Sequence, residues 1–119
     1  MLLAVEFTKH KDIARAIAAY RDLMQLDPQD WAAYYAYGVT LAQAGDRSEA
    51  IRMLTRATEL GPSMSPPYIA LADMLSHQGH VDDAIKLLQR GIPIAREPQL
   101  LRLQLAGIQA AQQRMLVTH

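Results

Sequence analysis

Shifted by 34 residues, the chain falls on itself. Asp12 lands on Asp46, Ala16 on Ala50 and Ala84, and Ile17 on Ile51 and Ile85. Leu26 lands on Leu60, Pro28 on Pro62, Tyr34 on Tyr68, Leu41 on Leu75, Gly45 on Gly79 and Leu54 on Leu88. So many coincidences at one period and in one order mean a tandem repeat, in which each unit buries its apolar faces only by stacking on a neighbour. The units run over about 1–28, which is incomplete, then 29–62 and 63–96, and a tail follows at 97–119.

Each unit has the spacing of two helices. Tyr34, Tyr37, Gly38 and Leu41 recur at i, i+3, i+4 and i+7, one face of a helix. Asp30 stands where an N-cap belongs, and Gly45 suits the left-handed position that ends a helix. A second stripe, Ala50, Leu54 and Ala57 with Ile51 beside it, is stopped by Gly61-Pro62. The next unit repeats this arrangement: Pro66-Pro67 opens a helix, Gly79 ends it, and Val81 to Ile92 forms the second. Pro93 breaks that helix early. Gly38 and Ala72, like Ala16, Ala50 and Ala84, are small residues that let helices approach closely. Residues 99–116 read as one more helix, with Leu101, Leu105, Ile108 and Gln112 as its packing stripe. Gln104, Gln109, Gln113 and Arg114 lie on its solvated side, and Leu100, Leu103 and Met115 form a sticky edge off the stripe.

These residues resemble the tetratricopeptide repeat. Its pattern W-x2-L-G-x2-Y, A-x3-F-x2-A and a closing Pro is met in the middle unit by Tyr34, Tyr37, Gly38, Leu41, Ala50, Leu54, Ala57 and Pro62. The following unit has Tyr68, Leu71, Ala72, Leu75, Ala84, Leu88 and Gly91, then Arg96 where Pro is expected. The first unit begins inside the pattern, and its stretch from Asp12 to Pro28 is close to a typical second helix. The resemblance implies an all-α fold, a single domain over 1–119 built as a right-handed solenoid of helix-turn-helix units with a C-terminal capping helix. It also implies a scaffold for protein–protein binding rather than an enzyme.

In such a scaffold the first helices line a concave groove that takes a peptide or helix from a partner protein. The groove positions are Val5, Thr8 and Lys9, then Tyr35, Val39, Ala42 and Gln43, then Ile69, Asp73, Ser76 and His77. Repeats of this family that grip a C-terminal carboxylate place Lys and Asn where this chain has Tyr35, Val39, Ile69 and Asp73. No cation or amide stands there, so the groove is expected to take an apolar or mixed peptide around Tyr35, Val39 and Ile69. The shortened first unit leaves Leu2, Leu3 and Phe7 at an open end, which suggests self-association there or through the last helix. A regulatory piece of a longer protein is the third reading.

Other chemistry finds little support in the residues. Twelve basic and twelve acidic residues leave no net charge, and no segment carries a basic arm, which argues against nucleic acid and against an electrostatic membrane binder. The absence of cysteine removes disulfides, thiolate chemistry and cysteine-ligated metals. His77, His80, Asp82 and Asp83 cluster in sequence, but they fall at a turn and a helix start, where polar residues belong. No metal, cofactor or catalytic residue is expected. Trp31 reads as a staple at the start of a first helix. The run from Met1 to Val5 is too short for a signal peptide or a membrane span, so a cytoplasmic setting is the expectation.

Overall fold

A computed structural model of the chain describes residues 2–117, with side chains from Asp12 onward. Among these residues there are six α-helices and no strand. The chain divides after Leu60 into two compact units of three helices each.

The first unit holds α1 (Leu2–Leu26), α2 (Trp31–Gln43) and α3 (Arg47–Leu60). Asp30 caps α2 as expected, its side chain accepting from the Ala32 N–H at 3.0 Å. Gly45 ends α2 with φ +89°, a conformation that costs little without a Cβ. Asp46 then caps α3, its carboxylate accepting from the Glu49 N–H at 3.3 Å. The buried face of α2, with Ala33, Tyr37 and Leu41, meets Ala50, Leu54 and Ala57 of α3. A Cβ on Gly38 would lie 2.8 Å from Leu54 Cγ, so the small residue is what lets α2 and α3 close on each other.

The first unit departs from the helix pair that the repeat frame predicts there. α1 runs unbroken from Leu2 to Leu26, with no turn between a first and a second helix. The reason lies in one position. The frame puts Lys11 where Gly45 and Gly79 end the later first helices. Lysine favours helix and resists the left-handed conformation, so nothing stops the helix.

The second unit holds α4 (Ser65–His77), α5 (Val81–Gly91) and α6 (Pro98–Val117). Proline occupies the first turn of α4, and Gly79 ends the turn after it with φ +87°. Leu71, Ala72, Ala84, Leu87, Leu88 and Leu101 form its core. α5 stops at Gly91, two residues before Pro93. A Cβ on Gly91 would lie 2.9 Å from the Tyr68 ring and 3.0 Å from Leu101 Cδ1, so this glycine makes room for both. The connection to α6 is tied back by the Arg96 N–H, which donates to the Ser63 carbonyl at 2.9 Å. α6 lies within a residue or so of the span expected for it, and its stripe of Leu101, Leu105, Ile108 and Gln112 is covered. Gln104, expected on the solvated side, is half-buried as well, because its side chain bonds to the backbone of α4.

Candidate functional site

On α2 the face away from the buried stripe carries Trp31, Tyr35, Val39 and Ala42, all half-buried, with Gln43 exposed at its end. Trp31 and Tyr35, one turn apart, have ring centroids 6.2 Å apart with planes tilted by 46°. The two rings and Val39 make a continuous apolar strip on that helix. Its opposite face is anchored to α1: Arg21 Nε donates to the Tyr37 hydroxyl at 3.0 Å, and the Tyr20 ring stands edge-on to Tyr37 at 6.5 Å. That hydrogen bond to Tyr37 pushes the Arg21 guanidinium further up from its already high value.

On α4, Ile69 and Ser76 are half-buried, and Asp73 and His77 are exposed. His77 Nδ1 stands 3.3 Å from an Asp73 carboxylate oxygen and 2.7 Å from the Asp73 carbonyl, to which Ser76 Oγ also donates at 3.0 Å. Gln104 of α6 donates from Nε2 to the Ile69 carbonyl at 2.9 Å. The covered Gln104 Oε1 meets no donor among the described residues.

Within the second unit a cleft of about 260 Å³ opens where the end of α4 and the start of α5 face α6. Ser76, His77, Val81, Ile108, Ala111, Gln112 and Met115 line it. The walls are apolar apart from His77, Ser76 and Gln112 at the edge. There Gln112 Nε2 reaches Asp82 Oδ1 at 3.5 Å, which gives Asp82 a partner besides its place in the first turn of α5.

The structure thus brings Ser76 and His77 together and sets Tyr35 beside Val39 on one face, each pair within its own unit. Val5, Thr8 and Lys9, and with them Leu2, Leu3 and Phe7, carry side chains outside the described residues. Val81, Ile108, Ala111, Gln112 and Met115 were not singled out as binding residues from sequence. Ile108 and Gln112 were legible as packing positions, but the gap between three helix ends has no sequence signature. Among the described residues no three His, Asp or Glu side chains gather as a metal cluster, so His77, His80, Asp82 and Asp83 do not form one. No described helix is long and apolar enough to cross a membrane.

An all-helical chain with a 34-residue period, glycine-ended first helices and small residues at the helix contacts defines a class of helical repeat proteins. The family model of the tetratricopeptide repeat matches residues 7–68 and 41–107, and the chain belongs to that family. It is similar to the cellulose synthase 2 operon protein C of Komagataeibacter xylinus, 35% identical over 115 residues, covering 88% of this chain and 9% of that protein. It is also similar to the small glutamine-rich tetratricopeptide repeat-containing protein 2 of Mycosarcoma maydis, 25% identical over 97 residues, covering 82% of this chain and 28% of that protein. The chain therefore spans less than a third of the length of these relatives. Among solved structures, the type III secretion translocator chaperone SycD of Yersinia enterocolitica has the same fold. Its TM-score is 0.72 at 16% identity, over 93% of this chain and 81% of that one.

Proposed function

We propose that the chain is a non-catalytic protein-interaction module with one apolar contact face in each unit. In the second unit a partner protein inserts an apolar side chain into the cleft at the end of α4, with His77 and Gln112 hydrogen-bonding the backbone around it. In the first unit Tyr35 and Val39, backed by Trp31, offer a flatter apolar strip, and Ile69 of α4 contributes in the second.

The observation that carries this reading is the cleft: concave, apolar, and rimmed by a few polar groups, as binding sites for side chains and small ligands are. Family membership supports a protein partner, and so does a fold shared with a secretion chaperone. The neutral charge supports recognition by apolar contact rather than by steering of a charged ligand.

The test is a selection of peptides from a displayed random library on the intact chain, followed by binding to two variants. Ala111→Trp fills the cleft from an exposed position, and Tyr35→Ala removes the largest side chain of the α2 strip. Selected peptides should share an apolar anchor and bind at least one variant about tenfold more weakly, with helix content unchanged. A selection that yields no binder, or binders indifferent to both variants, would overturn the reading.

A further inference from the structure

The polar groups around the cleft at the end of α4 have most of their hydrogens committed. The Asp73 carbonyl can only accept, so the His77 Nδ1 that stands 2.7 Å from it carries the proton. The Ser76 hydroxyl donates its own hydrogen to the same oxygen at 3.0 Å. In the neutral ring Nε2 of His77 is then an acceptor. The Asp82 carboxylate likewise only accepts, so the Gln112 amide turns its nitrogen to it at 3.5 Å and keeps Oε1 over. An occupant therefore meets His77 Nε2, Ser76 Oγ, Gln112 Oε1 and the carboxylate oxygens of Asp73 and Asp82. Against these acceptors stands the one remaining N–H of the Gln112 amide.

The charge around the cleft has the matching sign. Asp73 and Asp82 stand behind the rim, in contact with His77 and Gln112. Among the described residues neither carboxylate has a lysine or arginine within ion-pair distance. The end of α4 is the negative pole of that helix, and the positive pole at the start of α5 carries the carboxylates Asp82 and Asp83. Lys86 and Arg90 of α5 and Arg114 of α6 do not line the cleft. The chain as a whole has no net charge, so this is a local feature.

We propose that the segment received by the cleft is basic: an apolar anchor with a lysine or arginine within a residue or two of it. This rests on the cleft being the binding site of the second unit, and it adds what flanks the anchor. Val81, Ile108, Ala111 and Met115 hold the anchor and the stem of the basic side chain, while the cationic head donates to the rim and faces Asp73 or Asp82. An acidic segment, or a C-terminal carboxylate, meets like charge there and a single donor. Both carboxylates are exposed, Asp73 by 64%, so each charge pair is screened and changes affinity only a few-fold.

The probe is a displayed peptide library with one fixed leucine, its flanking positions drawn equally from lysine, glutamine and glutamate. It is selected on the intact chain at low and at high salt. Lysine should be enriched over glutamate about tenfold at one flank at low salt, and less at high salt. Asp73→Asn and Asp82→Asn keep an oxygen at the same place. Each should weaken a selected lysine-flanked peptide about threefold and leave its glutamine counterpart unchanged. Asp82→Lys should turn the preference toward glutamate. No preference among the three flanks, or a lysine preference that both asparagine variants retain, would overturn the proposal. The cleft would still be the site in that case if Ala111→Trp weakened the same peptides. No binder at all, or binding that Ala111→Trp leaves untouched, would instead remove the cleft as the site and this proposal with it.

Discussion

Three helical glycines carry different physical loads. Gly38 and Gly91 sit where a Cβ would lie 2.8–2.9 Å from a neighbouring side chain, whereas Gly107 faces open space. Gly38→Ala and Gly91→Ala are expected to cost about 1–3 kcal/mol each by overpacking. Gly107→Ala should stabilise the chain by about 0.5–1 kcal/mol, the ordinary preference of a helix interior for alanine. Urea unfolding separates the three, and a uniform response would contradict the close approaches. The repeat frame made the first contrast legible, because Gly38 shares its place with Ala72. It did not reveal that Gly91 seats Tyr68 and Leu101, since that contact joins α5 to two other helices at once. Tyr68 carries a second residue-scale consequence. Burial pushes its phenol up from the ordinary value of 10.0, and the charge of Arg90 pulls more weakly the other way. The folded chain therefore holds this proton to higher pH than the unfolded chain does. The associated stability is intact below about pH 10 and is lost as pH rises through the folded value. Tyr68→Phe should lose about 1 kcal/mol at neutral pH with its hydrogen bond to the Pro62 carbonyl, and should show a shallower alkaline decline in melting temperature.

At the scale of the element, helix ends decide what was legible. Asp30, Gly45 and Gly79 announce their caps in sequence, and the structure places a cap or a left-handed glycine at each. The repeat frame implies a helix pair where α1 runs unbroken, and the difference lies at Lys11, where the later units carry a helix-ending glycine. The cleft at the end of α4 was not legible, since it depends on how three helix ends stand apart rather than on any one pattern. The caps themselves are unequal. Asp46 receives the Glu49 N–H, while His80, its equivalent one repeat later, makes no side-chain cap to α5. His80→Asn should raise stability by about 0.5–1 kcal/mol without adding charge beside Asp82 and Asp83, and Asp30→Ala should lower it by about 1 kcal/mol. Thermal melts of the two variants should move in opposite directions from the parent, and parallel shifts would contradict the assigned caps.

Over the whole molecule the repeat period implies that stability is assembled locally, from each helix and the neighbours it packs on. Each unit has its own fully buried leucines, Leu54 in the first and Leu88 and Leu101 in the second. Leu54 fills the space above Gly38, and Leu88 lies in the core of the second unit. Truncating either to alanine leaves a cavity whose cost is about 2–5 kcal/mol, comparable with much of the stability of a chain this small. If the accounting is local, the loss stays in the unit that holds the cavity. Hydrogen exchange on the intact chain should then show Leu54→Ala lowering protection mainly in α2 and α3, and Leu88→Ala mainly in α4 and α5. Protection lost evenly along the chain by both variants would mean that the molecule opens as one cooperative block. The sequence period would then describe how the chain is built but not how its stability is divided.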